Sequence, residues 1–67
     1  MTLLVNGAER HVAAGSTLAD LLAVLEIDPR VVVVEHNGVI MRDRSSFATL
    51  KLGTDDTLEI VHFVGGG

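Results

Sequence analysis

Few residues in this 67-residue chain carry reactive chemistry, and the most conspicuous group is not a side chain. The sequence ends Phe63-Val64-Gly65-Gly66-Gly67. Glycine makes up about 7% of average protein sequence, so three in succession at one chosen end arise by chance with a probability of roughly 0.0003. A frayed terminus or an expression remnant can also end in glycine. A remnant usually brings serine, histidine or protease-site residues, and none follows Val64. The functional reading is that Gly67 offers its main-chain carboxylate for reaction. Without Cβ atoms, Gly65, Gly66 and Gly67 form a thin segment, permissive in φ and ψ, that fits a narrow active site on another protein. The sequence therefore predicts residues 64–67 as a flexible tail projecting from a folded body.

A carboxylate resists nucleophiles because its charge repels them and oxide is a poor leaving group. Adenylation by ATP turns it into an acyl phosphate with AMP as the leaving group. A sulfur nucleophile can then displace AMP and leave a thiocarboxylate, which ionises readily and is a soft nucleophile. The catalysis for these steps must lie in partners. The chain has no G-x-x-x-x-G-K-[ST] loop and no G-x-G-x-x-G with which to bind ATP itself.

The side chains offer weaker candidates. His11, His36 and His62 make a three-histidine zinc site conceivable. They fall on three different predicted strands, with no close H-x-H or H-x₃-H pair, and no metal site is expected. The strand period turns His36 inward, so it is expected to be partly buried and hydrogen-bonded. Asp55 and Asp56 resemble a carboxylate pair for acid–base work, but adjacent residues seldom converge on one substrate and Asp is a favoured turn residue. Arg42 and Arg44 fit a solvated loop, a local ion pair or a partner contact. Absence of cysteine excludes disulfides, thiolate metal sites and a cysteine nucleophile, and it fits a reducing cytoplasm. No signal peptide and no transmembrane segment are predicted. Five basic residues against nine acidic ones, a net charge of −4 and two aromatics argue against nucleic-acid binding. An acidic body suits a protein partner with a basic docking surface.

The elements that must position the tail follow from period and punctuation. Asn6-Gly7 is a strong hairpin signal between strands at about 2–6 and 9–13, with Leu3 and Val5 on one face and Leu4 on the other. Thr17 and Asp20 form a T-x-x-D capping box. Leu18, Leu21, Leu22 and Leu25 then trace the apolar stripe of one helix, and Asp28-Pro29 is expected to end it. Val31 to Val34 reads as a central strand, apolar on both faces, with Val31 and Val33 outward. Asn37-Gly38 turns into a short strand at Val39-Ile40-Met41. Arg42 to Ser46 reads as a polar surface loop, and Phe47, Leu50 and Leu52 as plugs at the edge of the core. Gly53 to Asp56 is a turn, and Thr57 to Phe63 the last strand, with Leu58 and Ile60 inward and Glu59, Val61 and Phe63 outward. The order β-β-α-β-β-β predicts an α+β fold over 1–67, one domain. Its mixed sheet is crossed by one helix, with the first and last strands paired in parallel at the centre: a ubiquitin-like β-grasp. So small a chain cannot spare core for a deep private active site, which favours a carrier or binding module over an enzyme. The outward strip Val31, Val33, Val61 and Phe63, with Val64, is predicted to dock partners, because nothing else covers that face.

Four stretches together resemble a known family. They are Met1 to Gly7, Gly15 to Leu22, Val34 to Arg42, and Leu58 to Gly67. The chain is similar over essentially its whole length to the ThiS family, the ubiquitin-like sulfur carriers of thiamine biosynthesis. The resemblance implies that an E1-like adenylating enzyme of the ThiF/MoeB type, using ATP and magnesium, adenylates Gly67. A sulfur-relay protein then supplies the sulfur, and thiazole synthase consumes it. Gly67 is then the modified residue, and Gly65 and Gly66 the tail that enters the partner's site. The chain departs from the family pattern at Ile40 to Arg44, at His36 before Asn-Gly and at Thr54-Asp55-Asp56, none of which touches the tail. A carrier serving molybdopterin or cysteine biosynthesis, a protein conjugated through Gly67, or a non-reactive β-grasp binding module are the alternatives.

Overall fold

Asn6 and Gly7 turn the chain with φ of +50° and +80°, the positive values that a tight two-residue hairpin requires. A computed structural model describes residues 1–63. In it this turn joins β1 (Thr2–Val5) to β2 (Ala8–His11), antiparallel, with Thr2 opposite His11 and Val5 opposite Ala8. Leu3 and Val5 are buried and Leu4 is exposed, as alternation along a strand demands.

The helix α1 (Leu18–Val24) begins where its cap predicts. The Asp20 amide donates to Thr17 Oγ1 at 3.2 Å, and the Thr17 amide donates back to Asp20 Oδ2 at 2.9 Å. Leu18, Leu21 and Leu22 are fully buried. The helix ends earlier than Asp28-Pro29. Glu26 takes a left-handed φ of +57°, its amide donates to the Ala23 carbonyl and that of Ile27 to the Leu22 carbonyl. This pair of bonds is a Schellman ending, and it needs no proline. Asp28 instead caps a short 3₁₀ turn, Pro29–Val31.

That turn takes Val31 out of the strand expected for it. The strand β3 runs Val32–His36 and pairs with β4 (Val39–Ile40) through Asn37-Gly38, again with positive φ at both residues. The predicted polar loop is in part a second 3₁₀ helix, Arg44–Ala48, capped by Asp43 and seating Phe47 in the core. The last strand, β5 (Thr57–His62), buries Leu58 and Ile60 and exposes Glu59 and Val61.

The sheet order is β2-β1-β5-β3-β4. The central strand is therefore β5, parallel to β1 and antiparallel to β3. The Val32–Val34 run lies beside it as an interior strand, paired on one side with β5 and on the other with the short edge strand. The helix covers one face over a core that includes Leu3, Leu21, Val34, Phe47 and Leu58. This is the ubiquitin-like β-grasp, a mixed sheet crossed by one helix. No helix among the described residues is long and apolar enough to cross a membrane.

Candidate functional site at the root of the glycine segment

Both Asn-Gly turns do more than reverse the chain. Each asparagine also binds β5. The Ile60 amide donates to Asn6 Oδ1 at 2.7 Å, and Asn6 Nδ2 donates to the Ile60 carbonyl at 3.2 Å. The pairing of β1 with β5 has its last partners at Val5 and Leu58, so Asn6 supplies from its side chain what the strand no longer supplies. At the other end the Thr57 amide donates to Asn37 Oδ1 at 2.9 Å, and the Asn37 amide to the Thr57 carbonyl at 2.9 Å. The strand that leads to the glycines is thus clamped at its start, Thr57, and again at Ile60.

A polar knot fixes the start of the same strand. His36 Nε2 lies 2.8 Å from Asp56 Oδ2, each side chain only 18% exposed. The Gly53 amide donates to Asp56 Oδ2 at 2.8 Å, and Asn37 Nδ2 to Asp56 Oδ1 at 3.2 Å. Burial pushes the Asp56 carboxyl up, but the hydrogen bonds from His36, Gly53 and Asn37 outweigh it and hold its pKa below the usual value. His36 is therefore the half-buried, hydrogen-bonded residue that strand period predicted, and Asp56 is a turn residue. His11, on β2, meets Thr2 of β1, and His62 stands opposite Val32. The three histidines do not converge.

The proposed docking residues gather where β5 ends. Val33 stands directly opposite Val61, and the Phe63 amide donates to the Val31 carbonyl at 2.8 Å. Val61 is 60% exposed, Phe63 48% and Val31 41%; Val33 is half-buried. Val64, Gly65, Gly66 and Gly67 lie outside the described residues. Two exposed apolar residues that the sequence reading did not assign to the strip, Leu4 and Ile40, share its face of the sheet. The alternation of β1 placed Leu4 there; for Ile40 the signal is its register, opposite Glu35. On that face Glu35 also stands opposite Glu59, a like-charge cross-strand pair that costs stability.

Arg44, left open by the sequence, is not a freely solvated residue. Its Nε donates to the Pro29 carbonyl at 2.9 Å and its Nη2 to the Val32 carbonyl at 3.1 Å. Its guanidinium carbon lies 5.5 Å from the centre of the Phe63 ring, within cation–π range. With Arg42, Val33, Ile40 and Phe63 it lines an open pocket. Among the described residues, the arginine that does form an ion pair is Arg30. It holds Asp28, whose carboxyl it brings down to about 2 through side-chain and backbone hydrogen bonds.

The sequence model of the ThiS family matches residues 3–67. The chain is 41% identical over 51 residues to the sulfur carrier protein ThiS of Bacillus subtilis, covering 76% of each. It is 45% identical over all 67 residues to a thiazole synthase of Paramagnetospirillum magneticum, and spans 20% of that protein's length. Its fold superimposes on the crystal structure of a thiamine biosynthesis protein, ThiS, from Geobacter metallireducens with a TM-score of 0.84, at 33% identity and with both chains fully covered. Family profile, sequence relative and structural neighbour agree over a body whose central strand runs out toward three glycines, and the chain belongs to the ThiS family.

Proposed function

We propose that this chain is a sulfur carrier of thiamine biosynthesis whose working group is the carboxylate of Gly67. An E1-like adenylating enzyme of the ThiF/MoeB type, with its own ATP and magnesium, transfers AMP to that carboxylate and releases pyrophosphate. The persulfide of a relay protein attacks the acyl carbon and AMP leaves; a thiol then cleaves the acyl disulfide so formed, releasing the thiocarboxylate and leaving a disulfide behind. Thiazole synthase accepts the sulfur. The chain contributes the acyl group, a rigid body and an address; the catalysis belongs to its partners.

The observation that carries this reading is the family match over 3–67, joined to a β5 that leads from the middle of the sheet to Gly65-Gly66-Gly67. Its acceptor is supported by a second one. A protein named thiazole synthase contains, in one fifth of its length, a segment similar to the whole of this chain. Joining two modules in one polypeptide raises their effective concentration toward one another, and such a joining makes sense where a carrier and its acceptor work together. The exposed strip of Val31, Val33, Val61 and Phe63, continued by Val64, docks the partners in turn.

The test is intact-mass spectrometry of the chain after incubation with the adenylating enzyme, ATP, magnesium and a sulfur donor. The expected product has one oxygen of Gly67 exchanged for sulfur, and a chain lacking Gly67 yields none. If a competent enzyme leaves the mass unchanged, the carrier reading is wrong. A thiocarboxylate that forms but never supports thiazole formation by a thiazole synthase rules out that acceptor alone.

A further inference from the structure

The root of the glycine segment is held from two sides. On the backbone side, the Phe63 amide donates to the Val31 carbonyl. On the side-chain side stands Arg44. Its two hydrogen bonds reach the Pro29 and Val32 carbonyls, one on each side of Val31 in the chain. A guanidinium is planar and its donors are fixed relative to one another, so two such bonds set its position and its tilt. The Phe63 ring rests against the group so placed. An exposed phenylalanine beyond the last residue of a strand would otherwise sample several χ1 wells. No carboxylate pairs with Arg44 among the described residues; its partners are two carbonyls and one aromatic ring.

We propose that Arg44 is a positioning residue for the carrier chemistry: by fixing Phe63 it fixes the end of the body to which residues 64–67 are joined. The proposal rests on the carrier reading above. Each glycine multiplies the conformations open to the carboxylate. A fixed root removes those that start in the wrong direction, and a larger fraction of docked complexes then presents Gly67 to the nucleotide. Arg44 need not touch the partner. Its loss therefore lowers the fraction of productive complexes, which is read in kcat, and leaves docking, read in KM, nearly as it was.

The experiment follows pyrophosphate release by the adenylating enzyme as the concentration of the full chain is varied. Arg44→Met is expected to lower kcat about tenfold with KM within about twofold, since small misplacements of a reacting group carry large rate costs. Arg44→Lys keeps the charge without the planar fork and recovers only part of the loss. Phe63→Leu reaches the same contact from its other side; because Phe63 also lies on the docking strip, its KM is free to rise and only its loss in kcat is read, and that loss decides the matter if Arg44→Met does not fold. The kcat of the double variant is expected to be no lower than that of the poorer single one, because in the turnover step both act through one contact. In the isolated chain, amide exchange at Phe63 should accelerate about tenfold in Arg44→Met while Ile60 is unchanged, the mark of a local release. A raised KM with intact kcat makes Arg44 a partner contact and overturns the proposal, as do additive losses or an unchanged Phe63 amide. A wild-type chain that releases no pyrophosphate sinks the carrier reading together with this proposal. Wild-type turnover that Arg44→Met leaves untouched sinks the proposal alone.

Discussion

His36 and Asp56, twenty residues apart in sequence, meet at 2.8 Å and tie the β3–β4 turn to the turn that starts β5. Asp56→Asn keeps the shape and removes the charge. At neutral pH it should lower stability by about 1.5 kcal/mol, the scale of a hydrogen bond to a charged group. The sign with pH is set by the lowered pKa of Asp56. Its contribution is present above the unfolded carboxylate value, near 4, and disappears as pH falls through the lower folded value. Urea unfolding at pH 7 and again in acid should show the gap between wild type and variant closing. A gap of constant size would mean that the charge of Asp56 contributes nothing.

Glu26 pays a conformational cost where the helix ends, with a φ of +57° that glycine adopts freely. Glu26→Gly should stabilise the chain by about 0.5 to 1 kcal/mol, the left-handed strain removed less the extra entropy of the unfolded glycine. Thermal unfolding checks it, and a lower melting temperature would contradict the strain.

The apolar strip gives a discriminating pair of substitutions. Val61→Lys should weaken association with the adenylating enzyme at least about tenfold, equivalent to about 1.4 kcal/mol. Val24→Lys, at an exposed position on α1 and away from the strip, should leave association as it is. Titration calorimetry on both variants decides between the sheet face and the helix face as the docking side. Equal losses would remove the case for the sheet.

Glu59 faces Glu35 directly across β5 and β3. Glu59→Gln should therefore raise stability by about 0.3 kcal/mol at low salt, with the gain shrinking as salt screens the repulsion. If a basic partner surface meets this face, the same variant should also associate more slowly. Stopped-flow association at two salt concentrations tests that part, and a rate unaffected by the substitution would place the partner's basic residues elsewhere.

What could be read in the sequence was local. The two Asn-Gly turns, the Thr17 cap, the leucine stripe of α1 and the alternation of β5 each depend on residues a few positions apart. All were legible, and with the strand order they led to the β-grasp. The misreadings came where a nonlocal or non-glycine solution took over. Proline pointed to the end of the helix, yet Glu26 ended it, because a Schellman bond pair asks only for a left-handed residue. Four valines pointed to an interior strand, which β3 is, yet the 3₁₀ turn claimed the first of them, Val31. At the candidate site, exposure of Val61 and Phe63 followed from period, whereas the contact of Arg44 with Phe63 joins positions nineteen apart across a turn and leaves no mark in either segment. The side-chain bonds of Asn6 and Asn37 to β5 were likewise hidden behind their more obvious service as turn formers.

The central place of β5 also bears on how the protein is made. Synthesis proceeds from the N-terminus, and β5 is the last of the five strands to be completed. Before it exists, β1–β2 and β3–β4 are two hairpins with no common strand, and isolated hairpins are marginal in water. A ribosome that stalls before Thr57 therefore releases a chain with no closed sheet, open to proteolysis. Completion of the body and arrival of the glycines are nearly the same event.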